Sequence, residues 1–256
     1  MRPSPSALLL ALGVALGSAG PCARAEDPKP APSVSDTARK EAVERLEKDL
    51  RAMAGGPYAE KKREEIVKDL DALEALGGED GVLAALEALA FDDDAVEQKV
   101  MAFAETVHTK GLVKPLAARL EHRDFRRRFR LHERIAHALA VVADVSALEP
   151  LTDLVGSESP RVVAAAADAL AAFKSAPRAK RLEPVKRMLD RFESTWNLKE
   201  SHRAEDRVAM DKARQDWEVY GTALRRALQA LTGQTQLSHP RQFREWWNDH
   251  KKSTDW

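Results

Sequence analysis

The sequence predicts an all-α fold: an α-solenoid of stacked helix pairs with a C-terminal helical cap. Two observations carry that expectation. From Ser35 onward the apolar residues recur at steps of three and four, and no window alternates with period two as a half-buried strand requires. The middle of the chain also repeats itself. "LVKPLAARL" from Leu112, "ALEPLTDLV" from Ala147 and "RLEPVKRML" from Arg181 place Pro115, Pro150 and Pro184 at spacings of 35 and 34 residues. A period in the thirties built from helix pairs marks units whose apolar faces are covered only by their neighbours.

Residues 1–25 read as a secretory signal peptide: Arg2, an apolar run from Ala7 to Leu16, and the small-x-small site "ARA" ending at Ala25. The run is too short to span a bilayer as a stable helix. An uncleaved anchor and a lipoprotein attached through Cys22 are the alternatives, the second opposed by Pro21 where a small residue is wanted. The expected location is the periplasm or the exterior. Cleavage removes Arg2 and Arg24, lowering the 41 basic residues to 39 against 41 acids. That near-neutral balance argues against nucleic-acid binding over the whole surface. The single cysteine, Cys22, leaves with the signal, and with it any disulfide, thiolate nucleophile or sulfur ligand.

Residues 26–35, within "EDPKPAPSVSD", read as a flexible Pro-rich leader. Residues 36–197 read as the helical repeats. Val43, Leu46, Leu50 and Met53 form a first helix broken by Gly55-Gly56-Pro57; Ile66, Leu70 and Leu73 a second, ended by Gly77-Gly78. Leu83, Leu86 and Leu89 mark a short helix, and Val96, Val100, Phe103 and Val107 its partner. Residues 198–256 read as a long charged helix and a Trp-containing cap. The charged stretch Lys199 to Asp216 is a solvated helix face with i,i+4 pairs or a connector. Trp217, Tyr220, Leu224, Leu228 and Leu231 then trace a stripe to Gly233, and Pro240 opens a last helix with Phe243, Trp246 and Trp247. No later stretch is apolar for long enough to cross a membrane.

"ALEPLTDLVGSESPRVVAAAADALAAF", Ala147 to Phe173, resembles one complete HEAT repeat. Ser159 stands as helix cap, Pro160 in the first turn where a missing N–H costs nothing, and Ala164 to Ala167 offer a small surface for close helix approach. One departure is Val163, where the repeat often carries arginine. Gly111 to Val142 is a fair second copy. "LTGQ" followed by "FREWWNDHKK" resembles the tail of exported HEAT-repeat proteins of planctomycete-type bacteria. The resemblance implies an armadillo-type fold and protein–protein interaction, and no activity.

"LHERIAHALAVV" approaches the zinc motif H-E-x-x-H through His132, Glu133 and His137. The histidine spacing is five, which places the two rings about 140° apart on a helix. No third ligand stands nearby, so neither metal nor cofactor is expected. His132 falls on an apolar side with Phe125, Phe129, Ile135, Ala136 and Leu139, bonded to a neighbouring polar group; His137 falls on the charged side. Read as a helix, "HRDFRRRFRLHER" gathers Arg123, Arg126, Arg127, Arg130 and Arg134 within an arc of about 100°. Only Arg128 points toward the apolar side, its stem long enough to reach water. The five guanidiniums either bind an anion, an acidic glycan or an acidic protein segment, or enter an inter-repeat ladder with Asp92, Asp93 and Asp94. Each exposed pair in such a ladder is worth about 0–1 kcal/mol.

Trp246 and Trp247 are either an exposed aromatic contact for a sugar or peptide or the seal on the end of the stack. No G-x-S-x-G turn or Gly-rich phosphate loop is present, so no catalytic residue is assigned. The expected function is a non-catalytic protein-binding scaffold of the cell envelope or exterior. The alternative is an enzyme or enzyme accessory holding a substrate or cofactor in the concave groove.

Overall fold

The computed structural model describes residues 34–53, 60–201, 207–253 and 256. The predicted signal peptide, nearly all of the leader and the Gly55-Gly56-Pro57 break lie outside the described residues. Eleven α-helices and no strands are found among those described. They are α1 (Val34–Met53), α2 (Glu60–Leu76), α3 (Glu79–Glu87), α4 (Asp94–Thr106), α5 (Val113–Glu121) and α6 (Phe129–Val142). There follow α7 (Leu148–Leu154), α8 (Pro160–Ala171), α9 (Arg178–Lys199), α10 (Arg207–Thr232) and α11 (Pro240–His250).

The helices pack in two layers in sequence order. Even-numbered helices each lie beside the next: α2 on α4, α4 on α6, α6 on α8 and α8 on α10. The odd-numbered helices form the second layer. There α1 meets α3, and α3 meets the 3-10 turn leading into α5; α5 meets the turn leading into α7, and α7 and α11 flank α9. Each odd helix also packs on its even successor, giving five pairs and one added helix, α11. The buried apolar side chains form one connected cluster running from Ala42 on α1 to Trp247 on α11. In α8, Ala166 and Ala167 are fully buried, which lets that helix sit closely between α6 and α10.

Local sequence explains most boundaries. Gly77 and Gly78, with φ of 65° and 97°, end α2 in conformations that side chains avoid, and Gly233, at φ 73°, ends α10. His239 and Gln242 close a reciprocal capping box around Pro240. Ser159 occupies the cap position of α8 without a side-chain cap bond; Ser157 Oγ accepts from the Ser159 N–H instead. Pro115 and Pro150 fall in the first turns of α5 and α7, where no N–H is missed. Pro184 differs, because its block is part of a 22-residue helix. Two arginines stabilise the extra N-terminal turns of α9. Arg178 donates to the carbonyls of His250 and Lys251 at 3.3 and 2.9 Å, and Arg181 donates to that of Leu231, so both meet the carbonyl-rich ends of α11 and α10.

Two features carry measurable costs. Ala143 ends α6 at φ 53°, its N–H bonded to Leu139 O at 3.3 Å, in the left-handed region where a Cβ is strained. Ala143→Gly should raise stability by about 0.5–1 kcal/mol, read from the denaturation midpoint. Asp69 on α2 is buried, and burial together with the adjacent Asp49 carboxyl pushes its pKa from 3.8 up to about 6. The folded chain therefore holds this proton to higher pH than the unfolded chain, and stability falls as pH rises from about 4 through 6. Asp69→Asn should flatten that slope and stabilise the fold at neutral pH, measured by urea denaturation across the window.

Candidate functional site

The arginine run does not form one helical face. Arg123–Phe125 is a 3-10 turn, Arg128 has non-helical φ and ψ of −85° and 70°, and α6 begins only at Phe129. The cause lies in two inward-turned side chains. Phe125 is buried at 5 % exposure, and Arg128, expected to lead outward to water, is drawn inward instead. The Arg128 guanidinium lies 5.1 Å from the Phe125 ring centroid, an attractive cation–π position. It donates to the carbonyls of Leu89 and Phe91, and to Glu97 at 2.8 Å.

Glu97, itself buried on α4, is the hub of this contact. Its second oxygen accepts from Arg134 at 2.7 Å, so one carboxylate holds both the lead-in to α6 and the helix proper. Asp92 meets Arg128 at 3.3 Å; Asp94 meets Arg134 at 3.1 Å and Arg130 at 3.6 Å. Asp93 instead caps α4, accepting from the N–H groups of Ala95 and Val96. The predicted ladder residues are thus divided in their work. Arg130 and Arg134 join the inter-helix network, and exposed Arg123 reaches only its neighbour Asp124 at 4.0 Å. Arg126 and Arg127 are exposed and lie within 4 Å of no carboxylate among the described residues.

Those two arginines border a surface cleft of about 610 Å³, lined further by Phe129, His132, Ser157 and Glu158. A second hollow of about 680 Å³ adjoins it, sharing Phe129 and Glu158. Its far wall comes from Thr195 and Leu198 on α9 and from Ala209, Ala213 and Tyr220 on α10. The 26-residue α10 is more than twice as long as α8, and its first half faces Glu158 and Phe129 past the start of α8. Thr195 and Tyr220 exchange a buried hydroxyl bond at 2.7 Å that ties α9 to α10 behind the cleft. Phe129, expected on the apolar side, is 36 % exposed: it is the first residue of α6, and its ring borders both hollows.

His132 is buried at 7 % exposure beneath Phe129, with Nε2 unpartnered among the described residues. Burial pushes its pKa below the ordinary histidine value, against a backbone hydrogen bond to Phe125 and the charge of Glu97. His137 lies outside, 2.9 Å from Glu105. No group of three His, Cys, Asp or Glu side chains is placed to hold a metal among the described residues. Trp247 is buried, and Trp246 is half-buried, stacked on His250 and edge-on to Trp256. Trp196, not singled out from sequence, and Trp217, the first residue of the predicted stripe, join Phe192 in an aromatic cluster between α9 and α10. No described helix is long and apolar enough to cross a membrane.

Removing Glu97 leaves two arginines facing a buried gap, whereas Arg126 and Arg127 pair with no carboxylate among the described residues. Glu97→Ala should cost about 3 kcal/mol of stability, and Arg126→Gln with Arg127→Gln less than about 0.5 kcal/mol each, read from equilibrium unfolding. A silent Glu97→Ala would remove the hub role assigned to this carboxylate.

No family model matches the chain, and a comparison with curated proteins returns no significant match.

Proposed function

We propose that this chain is a non-catalytic protein-binding scaffold of the cell envelope or exterior, built as a HEAT-like α-solenoid and exported by its N-terminal signal. Support comes first from the packing. Helix pairs that lie side by side in sequence order present a broad surface, on which binding arises from shape and side-chain complementarity. The observation that carries the reading is the open double cleft beside Phe129. An aromatic ring left one-third exposed and two guanidiniums with no carboxylate partner among the described residues occupy its rim, and aromatic and arginine side chains are the types that anchor protein interfaces. The flanking wall is fixed by the Thr195–Tyr220 bond and the Glu97 hub, so the surface is formed before a partner arrives.

The scaffold role predicts a stoichiometric protein partner in the native envelope fraction. Crosslinking and affinity capture with the tagged chain, followed by reconstitution of the recovered pair from purified components, is the test. Recovery of a pair that re-forms in vitro is the expected result. Failure of every recovered protein to rebind, together with fractionation of the chain away from the envelope and medium, would end the proposal.

A further inference from the structure

We infer that the cleft between residues 126–129 and the α9–α10 wall holds an extended acidic segment of a partner protein, with carboxylates on Arg126 and Arg127 and a neighbouring apolar side chain beside Phe129 and Leu198. The inference rests on the scaffold reading and adds to it the site and the chemistry of the partner.

The division within the arginine run points to the site. Of the six arginines from Arg123 to Arg134, four lie within 4 Å of a carboxylate. The two that have none among the described residues are the two lining the cleft. Nearby acids are not lacking, since Arg127 also borders the small hollow beside Asp92 and Asp94. Those acids are engaged by Arg128, Arg130 and Arg134. The free pair is also held in place. Buried Phe125 precedes it and inward-turned Arg128 follows it, so both guanidiniums project from a fixed backbone, and less ordering entropy is lost on binding.

The other lining residues select the kind of occupant. Asp153, Ser157 and Glu158 share the cleft with the arginines and add hydrogen-bond acceptors. A free phosphate or a nucleic-acid backbone brings concentrated negative charge, and meets the two carboxylates unfavourably. A polypeptide brings amide N–H groups for those acceptors and carboxylate side chains for the arginines, whose forked guanidinium suits bidentate pairing. The adjoining hollow, with Leu198, Ala209, Ala213, Tyr220 and Phe129, offers cover for an apolar side chain on the same segment.

The test uses the purified full chain and a short labelled peptide bearing paired glutamates and, two positions on, a phenylalanine, followed by fluorescence anisotropy. We expect saturable binding that weakens with added salt. It should fall about tenfold or more in the Arg126→Gln/Arg127→Gln chain, and by a similar factor when the peptide's glutamates become lysines or its phenylalanine serine. Phe129→Ser should lose the phenylalanine contribution while keeping the salt dependence, and unfolding midpoints of both variants confirm that each is folded. Binding unchanged in the double-arginine variant, or equal binding of the lysine peptide, overturns the inference. Complete competition by inorganic phosphate alone would assign the cleft to a simple anion. A dimer in sedimentation that dissolves in the same variant would assign it to a second copy of the chain. A captured, reconstituted partner that still binds the double-arginine variant would refute this site while leaving the scaffold reading intact.

Discussion

A helix pair such as α7 and α8 carries more apolar face than its two members can cover for each other. Val162, Val163, Ala166, Ala167 and Leu170 on α8 are all buried, yet α7 is only seven residues long. The remaining cover comes from α6 on one side and α10 on the other. That requirement, repeated along the chain, explains why helices meet the next-but-one helix and why the core is one cluster rather than several. Relieving it at the C-terminal end takes an unlike element, α11, whose Phe243 and Trp247 are buried there and whose Arg244 reaches Asp190 and Glu193 on α9.

Much of this was legible in the sequence because it is local. Helical spacing located the helices, paired glycines marked the end of α2, and Gly233 marked the end of α10. Pro160 and Pro240 marked two beginnings, although the serine before the first does not cap it and the histidine before the second does. The length of α9 was not legible. Its first turns exist because Arg178 and Arg181 find carbonyls some fifty to seventy residues away, and no local pattern reports such partners.

The arginine run was misread as one helical arc for a related reason. A helical wheel drawn through residues 123–134 assumes unbroken phase, and one 3-10 turn followed by one non-helical residue resets it. Arg128 was already the odd residue on that wheel, the only arginine directed to the apolar side. The correct inference from that oddity is a buried acid waiting for it, and Glu97 was visible as a charge between Val96 and Val100. Neither residue alone reveals the pairing, which joins positions 31 apart in the chain.

Arg126, Arg127 and Arg128 are three identical residues in a row with unequal freedom to vary. Arg128 uses both ends of its planar fork on targets in different directions, and a lysine, with one point charge, reaches at most part of that set. On the proposed reading its neighbours answer to the occupant of the cleft. A change of partner would then rewrite the first two codons and spare the third, so that the proposal puts the boundary between architecture and recognition inside a single tripeptide.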